Sequence, residues 1–201
     1  MRLALFLCAT LGASGQVIDF ESGGLHYQTL TKAGVTVMFA HLPNHIREYS
    51  MLQIAVSNGS KTPFILKLDD FLYIREDGVE IRPEPARKVV GEFMDKAGRT
   101  DVIKLVQTYE LAIYGLSRIK STNGYEQRRQ AAFANVNSQR LKAAAAASAI
   151  VLVQTKLVAG ETTDGAIFFT TGGKPIGAGR LIVHTNGQTY EFHTVGGAHG
   201  G

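Results

Sequence analysis

The stretch Leu157-Val-Ala-Gly-Glu-Thr-Thr-Asp-Gly-Ala-Ile-Phe-Phe169 decides how this chain reads. Leu157 and Val158 close an apolar run. Residues 159–165 are polar and contain Gly160 and Gly165, so the backbone is expected to turn there. Ala166-Ile-Phe-Phe169 restarts as a strand of β-branched and aromatic residues. Strand, turn and strand together imply a β domain.

The same alternation recurs toward the N-terminus. Leu25–Leu30 is strand-like, and Lys32-Ala33-Gly34 turns the chain. Val35–Ala40 sets Val35, Val37 and Phe39 on one face, the period of two of a half-buried strand. Pro43 and Asn44 make His41–Arg47 a loop. Tyr49–Ser57 places Leu52, Ile54 and Val56 inward. Asn58-Gly-Ser-Lys-Thr-Pro63 spells a glycosylation sequon but reads as a plain turn. Phe64–Leu68 and Phe71–Arg75 follow, with Asp69-Asp70 between them, and Glu76-Asp77-Gly78 precedes a strand at Val79–Arg82. Toward the C-terminus, Leu181–Thr185 and Gln188–His193 flank Asn186-Gly187, the strongest two-residue hairpin signal. That turn fixes the register: Val183 opposite Tyr190 and Leu181 opposite Phe192 on an apolar face. Arg180 opposite His193, Ile182 opposite Glu191 and His184 opposite Thr189 form the other. Residues 196–201 are a glycine-rich tail.

After Pro83-Glu-Pro85 the period changes to that of helices. Val89, Val90, Phe93, Met94 and Ala97 share one face, with Gly98 in the C-cap position. Val102, Leu105, Val106, Tyr109, Ile113 and Leu116 share a second. Asn123-x-x-Glu126 is a capping box opening a third helix, and a fourth runs from Ser138 through the alanines to Ala149. At Ile150–Val153 β-branched residues return.

Gly160-Glu161 followed by Gly165-x-Ile167-x-Phe169 resembles the pattern of bacterial secreted immunoglobulin-like β-sandwich proteins of unknown function. The likeness covers residues 25–82 and 155–193. The Asn123-Gly-Tyr-Glu-Gln-Arg-Arg129 start and alanine run resemble uncharacterised proteins of soil bacteria. The resemblance implies a fold and no active site. The expected architecture is mainly β with an α insertion. It is an immunoglobulin-like antiparallel β-sandwich over residues 16–201, interrupted at about 86–153 by about four helices.

Met1-Arg2, the apolar run Leu3–Leu11, and Ala13 and Gly15 at −3 and −1 read as a signal peptide over residues 1–15, cut before Gln16. The expected location is therefore periplasmic or extracellular. Leu7, standing where a lipoprotein box needs a small residue, rules out lipidation at Cys8. Cys8 is the single cysteine, so the mature chain has no disulfide framework. No other segment reaches the length of a membrane span.

Charge follows the same division. Residues 86–156 hold 12 Lys/Arg against 5 Asp/Glu, and the rest holds 9 against 12. A solvated helical face explains the excess. A surface for an anionic envelope component or protein partner, built by Arg118, Lys120, Arg128, Arg129, Arg140 and Lys142, also explains it. Export and the lack of a recognisable module exclude nucleic acid.

Candidate chemistry is thin. His41-x-x-x-His45 near Met38 and Met51 has the ligand types of an exported copper or zinc site, but Pro43 denies the histidines a helical i, i+4 geometry. Thr171-Gly-Gly-Lys-Pro175 lacks the phosphate-loop spacing, and Asp69-Asp70, read as strand residues, point apart. No G-x-S-x-G elbow is present, and the cysteine leaves with the signal. The sequence therefore predicts an exported, non-enzymatic binding module of the cell envelope without a cofactor. A copper- or zinc-binding protein using His41 and His45 is the alternative.

Overall fold

The computed structural model describes residues 15–42, 45–115, 127, 130 and 138–194, with 111–115 described by backbone alone. The chain is mainly β, with antiparallel sheets and three helices among the described residues. A five-stranded sheet contains β1 (Ile18–Ser22), β2 (Leu25–Lys32), β3 (Val35–His41), β4 (Tyr49–Asn58) and β9 (Thr162–Thr170), in that order. A four-stranded sheet contains β11 (Gln188–Thr194), β10 (Gly179–Thr185), β6 (Phe71–Arg75) and β7 (Glu80–Ile81). β5 (Phe64–Leu66) pairs with β8 (Thr155–Leu157). Each of these sheets joins strands from both sides of the helical segment: β4 to β9, β6 to β10, β5 to β8.

The two larger sheets pack face to face. Val35, Val37, Phe39, Leu52, Ile54, Ile167 and Phe169 meet Phe71, Tyr73, Leu181, Val183, Tyr190 and Phe192 in one core. Phe39 touches Phe192 edge-on at 5.1 Å, and Tyr73 meets Phe169 at 5.9 Å. The hairpin follows its turn. Asn186 and Gly187 take φ of 48° and 67°, as a type I′ turn requires, and every pair expected from the sequence is present.

The helices form a third layer. α1 (Ala86–Lys96), α2 (Arg99–Gly115) and α3 (Gln139–Ile150) cover the other face of the five-stranded sheet. There Tyr27, Ala40, Tyr49, Met51, Ala166 and Phe168 meet Val89, Phe93, Leu105, Tyr109 and the α3 alanines. This cover accounts for a departure from the one-faced alternation read into Tyr49–Ser57. Leu52, Ile54 and Val56 do face the sheet-sheet core, but Met51, Gln53 and Ala55 are equally buried under helices. A strand buried on both faces loses its period-two signature.

Two tyrosine–carboxylate pairs lock the layers. Tyr49 on β4 donates to Glu92 Oε2 on α1 at 2.5 Å, and Tyr109 on α2 donates to Asp164 Oδ2 on β9 at 2.8 Å. Gln53 Nε2 also donates to Asp164, at 3.3 Å. These polar strand residues are tolerated because each finds a partner. That corrects the expected turn at 159–165. The turn ends at Glu161, and Thr162-Thr163-Asp164 already belong to β9. Within the turn, the Glu161 carboxylate accepts from the Val158 N–H at 2.9 Å, and the Asn58 N–H donates to the Glu161 carbonyl at 2.8 Å. Asn58 is buried and its amide donates to Thr62 O and Leu157 O, both at 3.0 Å, so the sequon asparagine is a brace within the fold.

Gly165 meets the chain leaving α3. Leu152 N–H donates to Ala166 O at 2.8 Å, and a Cβ on Gly165 would stand 2.6 Å from Leu152 Cα. A backbone passes where a side chain would be, so only glycine fits.

Other expectations shift. β1 was not foreseen. Gly98 does not cap α1 in the left-handed conformation. It opens α2 instead, where its N–H donates to Asp101 Oδ2 at 2.9 Å. Met94, placed on the inner face of α1, is exposed. Asp69-Asp70 lie in a 3₁₀ turn, Leu68–Asp70, and not in a strand. The alanine run docks as expected, on α1 and α2, with Ala143, Ala144, Ala146, Ala147 and Ala149 buried. Ile113 and Leu116 as packing residues, the Asn123 capping box and the residue 196–201 tail fall on side chains or segments outside the described residues. No described helix is long and apolar enough to cross a membrane.

Candidate functional site

The strand period separates the proposed metal ligands. His41 ends β3 on the face of Val35, Val37 and Phe39, and its ring lies 5.7 Å from Phe39 and 6.4 Å from Tyr73. Met38 and Met51 belong to the opposite, helix-covered core. His45 is exposed on the loop. The structure therefore does not bring these four residues together. One step beyond the Tyr27–Ala40 pair, the register sets His26 opposite His41 instead. Burial drives the His41 pKa down to about 4, and the His26 charge adds to the effect. Among the described residues no three His, Cys, Asp or Glu side chains form a metal-holding group. His184 and His193 stand at separate rungs of the outer face of the hairpin.

Of the six basic partner candidates, Arg140 is exposed at the start of α3 and Lys142 is half-buried two residues on. Arg118, Lys120, Arg128 and Arg129 lie outside the described residues.

Described residues line two surface clefts of note. The first, of about 590 Å³, joins the β3–β4 link, the α1–α2 turn and the loop after β9. Its charges are balanced, and Arg47 and Asp101 are paired with each other. Arg47 Nη1 donates to Lys96 O at 2.9 Å and to Asp101 Oδ2 at 3.3 Å, which ties the β3–β4 link to the helices. The Thr171-Gly-Gly-Lys174 loop beside it is closed by its own bonds. Thr171 Oγ1 donates to Lys174 O at 2.5 Å, and Ser50 Oγ donates to the same oxygen at 2.9 Å. This loop is a braced connection and no phosphate cradle.

The second cleft, of about 410 Å³, lies between the 3₁₀ turn after β5 and the tip of the β10–β11 hairpin. Ile65, Lys67, Asp70, His184, Thr185 and Gln188 line it. The hairpin places its members. Asn186-Gly187 reverses the chain so that His184 and Thr189 stand side by side, with Nδ1 and Oγ1 3.0 Å apart. The 3₁₀ turn places Asp70, whose Oδ2 accepts from the Lys67 N–H at 2.9 Å. Burial raises the Asp70 pKa, outweighing the Lys67 N–H, the Lys67 charge and the Thr185 hydroxyl, which lower it. Thr185 is buried, and its hydroxyl faces the Asp70 carboxyl. Ile65 is 49% exposed at the rim. A half-buried carboxyl set beside a hairpin tip makes this cleft the candidate binding site. Sequence reading missed Asp70 by treating it as a strand separator. The signal was Lys67-x-x-Asp70, the spacing of a capped turn, which places nothing until the hairpin is folded beside it.

No family model and no curated protein matches the chain. A solved structure, the yjhA protein from Bacillus subtilis, is similar at 9% identity with a TM-score of 0.34, covering 83% of this chain and 77% of that one, a likeness too faint to carry an argument.

Proposed function

We propose that this chain is an exported, non-enzymatic binding module of the cell envelope, and that it takes its ligand at the Asp70 cleft. The scaffold is an immunoglobulin-like pair of sheets backed by helices. The observation that carries the reading is the half-buried Asp70 carboxyl, held by the Lys67 N–H beside the hairpin tip in a cleft of about 410 Å³. Its size falls within the ~300–1,000 Å³ of ordinary ligand pockets. Loops and turns held by rigid sheets are where binding residues gather. The exposed basic residues of the helices, Arg140 among them, add a salt-dependent attraction to an anionic envelope.

Cosedimentation of the mature chain with isolated cell envelopes tests the reading. The wild type is expected to pellet, and Asp70→Asn and Thr185→Val to remain largely in the supernatant. Failure of the wild type to pellet at low salt counts against it, as does pelleting unchanged by both substitutions.

A further inference from the structure

Two imidazoles meet at one end of the β2–β3 pair. On β2, Leu25 and Tyr27 face the helices, so His26 and Gln28 face the other way, on the side of Leu30. On β3, His41 continues the row of Val35, Val37 and Phe39 on that same side. Tyr27 pairs with Ala40, so His26 and His41 stand opposite each other one rung further on. Directly opposed strand residues hold their Cβ atoms about 4.5–5.5 Å apart. Imidazoles on such a rung can share one ion at the usual metal–nitrogen distance of about 2.0–2.1 Å.

The fold leaves ligand atoms over at this place. His41 Nε2 is buried and makes no hydrogen bond, and the same holds for Gln28 Oε1. Gln28 pairs with Phe39, which makes it the diagonal neighbour of His41 on one face. Its Nε2 donates to His193 O at 3.0 Å, so the amide is held and its oxygen is the open end. Buried polar atoms are normally paired, and two unmet ones on neighbouring rungs point to a bound species. Charge selects its sign. Glu21 and Asp19 of β1 stand opposite His26 and Gln28, and Asp19 Oδ1 lies 3.9 Å from His26 Nε2. These carboxylates favour a cation. Asp19 also stands where a carboxylate orients a ligating imidazole, which leaves His26 Nδ1 for the ion.

We propose that His26 and His41 form a site for one divalent transition-metal ion of the zinc or copper class, with Gln28 Oε1 as a third donor. Neutral imidazoles suit these ions. Among the described residues no third His, Cys, Asp or Glu completes the group, so water fills the remaining positions. The His26 side chain is 55% exposed and gives the ion its way in from solvent. The site uses His41 without His45 and lies apart from the Asp70 cleft.

Calorimetric titration of the metal-free chain with Zn²⁺, Cu²⁺ and Mg²⁺ tests it. A single equivalent of Zn²⁺ or Cu²⁺ is expected to bind, and Mg²⁺ is not. His26→Ala, at an exposed side chain, is expected to keep the fold and to weaken binding at least tenfold. His45→Ala and His184→Ala are expected to leave binding unchanged. The bound ion joins β2 to β3, so it is expected to raise the melting temperature of the wild type and not of His26→Ala. Binding that ignores His26→Ala overturns the assignment, as does binding lost in His45→Ala or His184→Ala instead. If neither Zn²⁺ nor Cu²⁺ binds at micromolar concentration, a buried water bridges the two unmet atoms and the metal site falls.

Discussion

The Tyr109 hydroxyl, on a helix, donates to Asp164 Oδ2, on a strand 55 positions away, at 2.8 Å, and both residues are buried. The bond ties α2 to β9 at the centre of the helix-covered sheet face, where Gln53 also reaches the same oxygen. Tyr109→Phe removes a donor from a buried carboxylate and is expected to destabilise the chain by about 1–3 kcal/mol in chemical denaturation. No change in the denaturation midpoint would mean that the helical layer is held by apolar packing alone.

Gly165→Ala tests the passage of the chain beneath β9. The added methyl would stand 2.6 Å from Leu152 Cα, a backbone atom that no rotamer change can clear. A loss of about 1–3 kcal/mol is expected, the usual cost of forcing extra volume into a packed site. A wild-type melting temperature would show that the Leu152 segment moves aside freely.

Overpacking also probes the alanine helix. Ala146 is 1% exposed, so Ala146→Leu is expected to cost about 1–3 kcal/mol. Ala145 is only half-buried, and Ala145→Leu is expected to cost less. The reverse order in thermal melts would mean that the helix docks through another face.

How much of this was open to sequence reading depends on what each residue reports. The Asn186-Gly187 hairpin was legible because turn chemistry and period-two alternation agree there, and they fixed the register of Leu181 and Phe192. Face assignment along Tyr49–Asn58 was legible only by half. Gln53 and Met51 look solvent-facing until helices are laid over them. The same hidden layer explains Asp164, read as part of a turn because a buried carboxylate needs a partner, and Tyr109 is distant in sequence. β1 carried no clear signal because it is an edge strand, paired on one side only, and none of its five residues is fully buried. His41 and His45 suggested a pair by spacing, but strand geometry gave His41 a neighbour in His26, a relation that only the β2–β3 register reveals.

Acid should weaken the fold through His41. Its folded-state pKa, lowered to about 4 by burial and by His26, lies below the ordinary value of 6.5. The unfolded chain therefore takes up a proton first as pH falls. The His41 contribution is intact above about pH 6.5 and is lost as pH drops toward 4, by up to about 3 kcal/mol for this group. His41→Gln, which has no titrating group, is expected to flatten the stability–pH curve between those values. An unchanged slope in the variant would assign the acid loss to other groups.

The most direct test of the account is to map the contact surface by amide chemical-shift perturbation, adding solubilised cell-envelope material to the isotopically labelled chain. Shifts are predicted to gather at Ile65, Lys67, Asp70 and the hairpin tip, residues 184–189, and to vanish in Asp70→Asn. Shifts confined to the Arg47–Lys96 cleft, or to Arg140 and Lys142 on α3, would contradict it.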